Sequence, residues 1–427
     1  MPTHSSQHFI KIMLVAVLSI LSMPALFAAS RVKYYSFEGS PNGANPSSSL
    51  VQDAAGNFYG TTTTGGVNEC FDNMYTCGTV FELSKNSNGA WTEQVIYSFS
   101  GRSDGYFPSG LAIDASGNLY GVSDASLYAA IFELSPTQNG WVEKTIYSFP
   151  GGALGAIPSG TSLVFDPHGN LYGVTSSGGI CEQNVCGGVV FELTPSQNGA
   201  WTEDVLYSFP LSYYGSGPRP VAITFDSKGN LYGTTTYGGV FNWGNVYELT
   251  PNQNGSWNEV DLYDFQDGFD GGELLAGVTF DNAGNMYGEA TTGGSFACPG
   301  SGCGTLFELT PNLDGTWTEM TIHTFNGLDG AKGEVPAEGL AFDGQDFYGT
   351  AGGGSDGYGI IFEFSAASPT TSFHILGSFD GTDGAGGYGS WLLVRGATIF
   401  GASSYGGDPN CDSSGENGCG TVFEVTP

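Results

Sequence analysis

Basic side chains are scarce in this chain: ten Lys and Arg stand against 42 Asp and Glu in 427 residues, a formal net charge of −32. Such a surface repels nucleic-acid phosphates and anionic headgroups, which excludes both as partners and leaves cations, cationic peptides and neutral glycans. Histidine is rare too, at five. No Ser–His–Asp order, metal triad or phosphate-cradling loop is found, and the many Gly-Gly pairs are turn punctuation. After residues 12–21 no second long apolar stretch follows, so no membrane span is expected beyond that point. Helical periodicity is absent from the window 110–149.

What is present begins with a targeting pattern. His4, His8 and Lys11 precede the apolar run 12–21, and Ala25, Ala28 and Ala29 supply small residues for cleavage. Residues 1–29 therefore read as a signal peptide, and no cysteine follows the run to accept a lipid. Residues 30–427 are expected to form a single domain.

That domain repeats one pattern. In residues 110–149 a short apolar run leads to the turn Ala115-Ser116-Gly117-Asn118, then Leu119-Tyr120-Gly121, Ile131-Phe132-Glu133-Leu134 and Trp141 to Phe149. These are four strand-sized segments bounded by turn residues. The Gly ending the second segment recurs at Gly60, Gly121, Gly173, Gly233, Gly288, Gly349 and Gly401, and the third-segment Glu at Glu82, Glu133, Glu192, Glu248, Glu308, Glu363 and Glu424. Successive copies are 51 to 61 residues apart, about 57 per repeat, a propeller-like period. The fourth segment ends at Phe99, Phe149, Phe209, Phe265, Phe325 and Phe379, one copy too few, while an orphan Val32-Lys33-Tyr34-Tyr35-Ser36-Phe37 opens the chain. The arrangement predicts an all-β, seven-bladed β-propeller of four-stranded blades, closed by the N-terminal strand pairing in the last blade.

Eight cysteines fall as four local pairs, Cys70 and Cys77, Cys181 and Cys186, Cys298 and Cys303, Cys411 and Cys419, each between the second and third strands of an odd-numbered unit. In an exported chain this predicts disulfides rather than zinc. The repeated glutamates are expected to be structural, since seven equivalents in a ring cannot all be catalytic. Asp53, Asp114, Asp166, Asp226, Asp281 and Asp343 sit just before Gly-Asn or equivalent turns and read as turn-capping residues. The Trp-x-Glu of the fourth strand reads as packing. Asp264, Asp267, Asp270 and Glu273 have calcium-loop composition without its spacing, so no cofactor is required and calcium is the one left open.

Departures from the repeat point to a site. The residue opening each first strand is small in six units and Trp391 in the seventh. Where blade 7 meets blade 1 two cysteine loops stand side by side, with Tyr388, Trp391, Tyr405, Asp408, Asp412, Phe71, Asp72 and Tyr75 nearby. Aromatic faces beside acids suit a sugar or a cationic peptide. Off-repeat carboxylates for a glycosidase are Asp72, Asp408, Asp412 and Glu416.

The phrases G-N-L-Y-G-T-T, G-T-V-F-E-L-T-P, N-G-x-W-T-E and Y-S-F resemble the GloVer-type (Gloeo/Verruco) tandem repeats of exported bacterial proteins, over essentially all of residues 32–427. Units six and seven depart: Gly344-Gln345-Asp346 shortens the turn, and Arg395 replaces the turn Asp. The resemblance implies free secretion, since some relatives carry a C-terminal anchoring tail that is not seen here; it transfers no catalytic residues. The expected function is an exported, monomeric binding or interaction propeller for a glycan or peptide. The alternatives are a polysaccharide-cleaving glycosidase or lyase, and a structural envelope component.

Overall fold

A computed structural model describes residues 30–427 apart from 71–74, 125–128, 160–162, 183–184, 212–216, 296, 299–300, 327–335, 337 and 412–417; side chains of residues 30–32, 34 and 386–391 are also not described. Seven antiparallel blades of four strands form a propeller ring. Blade 2 is the simplest: Tyr106–Ile113, Leu119–Asp124, Ala130–Thr137 and Gly140–Ser148 pair in that order. In blades 1 and 3 the inner strand is broken in two, Gly43–Pro46 with Val51–Gln52, and Ala156–Pro158 with Val164–Phe165. Blade 7 takes Ala385–Arg395, Thr398–Tyr405 and Thr421–Thr426 from the C-terminal end and Ser30–Ser36 from the front, with Ser30 opposite Thr426 and Ser36 opposite Thr421. Among the described residues helix is confined to Gly152–Leu154 and Pro369–Ser372.

One ring contact builds every junction. The Phe after the fourth strand packs on the third-strand aromatic of the next blade: Phe37 on Phe81, Phe99 on Phe132, Phe149 on Phe191, Phe209 on Tyr247, Phe265 on Phe307, Phe325 on Phe362 and Phe379 on Phe423. Centroids lie 4.9 to 5.7 Å apart, the range aromatic pairs favour. The seventh junction, blade 7 to blade 1, is made by the orphan Phe37. Asn45 adds to it, its N–H donating to Cys419 O at 2.8 Å and its Nδ2 to Ser404 O at 3.0 Å.

The repeated second-strand glycine is explained by the same rings. A Cβ on Gly173 would lie 2.5 Å from Cζ of Phe191, and the six sister glycines meet their own third-strand ring at 2.2 to 2.5 Å. The Trp of the fourth strand reaches back to the preceding blade, as Trp141 does to Tyr59 and Trp201 to Tyr120. Its partner Glu accepts a tyrosine hydroxyl from that blade: Tyr147 to Glu203 at 2.6 Å, Tyr207 to Glu259 at 3.0 Å, Tyr35 to Glu93 at 3.2 Å.

The turn aspartates behave as capping residues. Asp114 Oδ1 accepts the N–H groups of Ser116 and Asn118 at 2.8 and 2.9 Å, while Oδ2 accepts Asn118 Nδ2 and the Tyr120 hydroxyl. Burial opposes ionisation of the equivalent Asp53, but hydrogen bonds from Asn57, Tyr59 and Ala55 hold its carboxyl below the usual range. The third-strand glutamates are structural in the same way: Glu248 accepts the Tyr232 hydroxyl at 2.8 Å, and Glu133 accepts Ser135 Oγ.

Candidate functional site at the channel mouth

All four cysteine pairs are disulfides, joining residues 5 to 8 apart in sequence. Each of two of them lies against the connection from its own fourth strand to the next blade: a Cβ on Gly101 would meet Cys70 Sγ, and one on Gly39 would meet Cys411 Sγ. The disulfide loops and the blade-to-blade connections therefore share one face. Disulfides fit an extracellular or periplasmic setting. Among the described residues no helix is long and apolar enough to cross a membrane.

On that face five blades repeat an unusual backbone. Asn45, Phe107, Ile157, Arg219 and Glu273, none of them glycine, have φ of 57°, 48°, 57°, 55° and 52°. The left-handed region is costly for such residues, most of all for β-branched Ile157. The surroundings hold them there. Backbone N–H groups of Asn45, Phe107 and Glu273 donate to carbonyls of the preceding blade, Cys419, Cys77 and Trp243, at 2.7 to 2.9 Å. Arg219 O accepts Thr236 N at 3.1 Å and Ile157 O accepts Ser176 Oγ at 3.2 Å. Four of the five precede proline: Pro46, Pro108, Pro158 and Pro220. The backbone of this position repeats while the side chain changes at every copy. Sequence reasoning missed it, although the X-Pro steps with a variable X were visible.

A cleft of about 800 Å³ opens on this face between blades 3 and 4. Ile157, Pro158, Ser176, Ser177, Val185 and Cys186 form one side, and Arg219, Pro220, Thr236 and Tyr237 the other. The Arg219 guanidinium lies over the Tyr237 ring at 5.3 Å.

The residues singled out from the sequence are only partly described. Phe71, Asp72, Asp412 and Glu416 lie outside the described residues, as do the side chains of Tyr388 and Trp391. The backbone of Trp391 is on the inner strand of blade 7, opposite Ala402. Tyr405 ends the adjacent strand, half-buried, and Asp408 caps a turn by accepting Asn410 N and Nδ2, both at 2.9 Å. Tyr75 turns away from blade 7 and meets Phe107 of blade 2 edge-on. The acidic quartet of blade 5 does not converge. Asp270 clasps its own loop through the Tyr263 hydroxyl, Gln266 N and Gly268 N, and Asp264 accepts Val240 N. Asp104 closes the corresponding loop of blade 2 in the same manner. Among the described residues no group of three or more His, Cys, Asp or Glu converges as metal ligands would.

Glu289 is fully buried and Glu259 half-buried. Glu289 stands where sister strands carry Thr61, Val122, Val174, Thr234, Thr350 or Ala402. It accepts Gly339 N at 2.9 Å, and burial, then nearby Glu338, pushes its pKa up to about 8. Glu259 lines a cavity of about 260 Å³ with Asp261, and burial and that neighbour push it up as well.

The repeat that builds these features matches the Gloeobacter/Verrucomicrobia repeat over residues 27–186 and 161–412. The chain belongs to the Gloeobacter/Verrucomicrobia repeat family. Among curated proteins none matches its sequence. This family member is similar in fold to virginiamycin B lyase from Staphylococcus aureus, at 15% identity and TM-score 0.54, covering 93% of this chain and 99% of that one. A streptogramin B lyase gives 13% and 0.51, covering 93% and 97%. A protein from Lactobacillus plantarum gives 13% and 0.51, covering 76% and 84%. At such identities the likeness is one of fold, and the repeat family's chemistry has to be argued from its own site.

Proposed function

We propose that this chain is an exported binding propeller that engages a glycan at its channel mouth. The observation that carries the reading is the ring of strained, non-glycine positions whose side chains differ from blade to blade, Asn, Phe, Ile, Arg and Glu. A backbone that stores roughly 1–3 kcal/mol at each such residue is a hypothesis of function. A repeat that holds its scaffold constant and varies the side chain at one position, exposed at Ile157 and Arg219, half-buried at Phe107 and Glu273 and buried at Asn45, favours a composite surface centred on the exposed copies. The disulfides that brace the adjoining loops support an extracellular role. The test is a glycan array probed with residues 30–427. Saturable binding of a restricted set of glycans is expected; an array without binding defeats the reading and favours a structural envelope role.

A polysaccharide-cleaving enzyme is the second reading. In its favour is the Glu259 carboxyl, pushed up by burial and by Asp261 in a small cavity, a candidate for the protonated acid that glycosidases need. Reducing-end release from any bound glycan, lost in Glu259→Gln, is the outcome that would replace binding by catalysis.

A further inference from the structure

We infer that the cleft between blades 3 and 4 is a subsite for a single uronate residue of an acidic oligosaccharide, with Arg219 as the carboxylate-binding group. The inference rests on the mouth-binding reading above and names the chemistry of one subsite within it.

Charge is the first argument. In a chain of net charge −32 with ten basic residues, this cleft contains an exposed arginine and no acid among its described lining residues. Among the described residues no carboxylate lies within ion-pair distance of Arg219, and its guanidinium rests on the face of Tyr237. A guanidinium stacked by one face keeps its edge donors for a planar, bidentate acceptor, which is the geometry of a carboxylate. Its backbone is fixed in the left-handed region at φ 55° by Thr236 N, which donates to Arg219 O, and by Tyr237 N, which donates to Pro218 O at 2.8 Å. The cation is thus presented from a held main chain.

The walls argue for a sugar over a peptide. An extended peptide adds to a sheet edge through main-chain hydrogen bonds. Here the inner strands facing the cleft carry Pro158 and Pro220, which lack the donors that such pairing needs. Hydroxyls of Ser177 and Thr236 and the apolar faces of Ile157 and Pro158 line the remainder. Ile157 is 57% exposed. That mixture suits the C–H face and hydroxyl rim of a pyranose. With one cation against so large a surrounding negative charge, the site accepts one carboxylate; a dense polyanion would bring unpaired charges to a repelling surface.

Calorimetric titration of residues 30–427 with galacturonosyl-galactose, which carries one carboxylate, and with its neutral counterpart, galactobiose, tests the assignment. The acidic disaccharide is expected to bind at least tenfold more tightly. Arg219→Ala should remove that preference, and Arg219→Lys should retain part of it. Equal affinity for the two sugars, or an Arg219→Ala variant that keeps the preference, overturns the subsite. If glycans bind elsewhere at the mouth under those results, the binding reading survives and the uronate assignment alone fails. Displacement of the sugar by a carboxylate-terminated tripeptide at equal concentration, with tighter binding of that peptide, overturns the choice of glycan.

Discussion

The glycine ending each second strand is required by the ring that sits over it. Gly173→Ala places a methyl 2.5 Å from Phe191 Cζ, and overpacking of a close-packed core costs about 1–3 kcal/mol. A urea titration should show that loss, and Phe191→Leu in the same chain should recover part of it. If Gly173→Ala leaves the midpoint unchanged, the ring is not what excludes a side chain. Glu289 makes a pH prediction. Its folded pKa, about 8, lies above the ordinary 4.5, so the folded state binds the extra proton between those values. Stability is then greatest below about pH 4.5 as far as this group is concerned, and is lost as pH rises towards 8. Glu319, pushed up to about 7 by burial, acts in the same sense, whereas the hydrogen-bonded Asp53 loses its contribution only in acid as pH falls below the ordinary carboxylate range. Melting temperature should therefore fall from pH 5 to pH 8. Glu289→Gln, which keeps the acceptor for Gly339 N, should flatten that slope and raise the melting temperature at pH 8 by a few degrees. An unchanged slope contradicts the assignment.

At the scale of strands and loops, much was legible because the chemistry is local. Strand alternation, Asx turns and cysteines five to eight residues apart each specify their own partner. The Asp-Gly loop of blade 5 was legible as composition only. Whether Asp264, Asp267, Asp270 and Glu273 converge depends on where the backbone turns, and Asp270 turns inward to Tyr263 and its own loop amides. The left-handed positions Asn45, Phe107, Ile157, Arg219 and Glu273 were hidden for a related reason: in three of them, Asn45, Phe107 and Glu273, the backbone N–H is held by a carbonyl of the preceding blade, a contact that no single repeat contains. Disulfides at this scale brace loops. Opening Cys181–Cys186 should remove roughly 2 kcal/mol of loop-closure entropy at most. Amide exchange should accelerate in residues 181–187, which contact Gly217 through Cys186 O, with the ring still folded. Global unfolding on reduction would show that the disulfides hold the blades themselves.

Across the molecule, the seven Phe junctions make the ring cooperative, and the blade 7 to blade 1 junction uses the two ends of the chain. Phe37→Ala removes a fully buried ring and should cost about 3–5 kcal/mol. Deleting residues 30–37 should do more, because it also bares the edge of Thr421–Thr426 and invites aggregation; light scattering on heating reads this directly. The ring was legible from repeat spacing and the displaced fourth strand. The cleft with Arg219 and Tyr237 between blades 3 and 4 was not legible, because Pro158, Ser177 and Pro220 come from distant parts of the sequence, while the side chain of Trp391, which marks blade 7, lies outside the described residues. The central claim is that the varied mouth positions bind the ligand. Hydrogen exchange measured by mass spectrometry, with and without the tightest glycan from the array, tests it most directly. Protection is expected in peptides spanning residues 43–46, 106–109, 156–159, 217–221 and 271–275, with the Arg219 segment among them. Protection confined to the outer strands, Trp201–Ser208 and its sisters, would contradict the account.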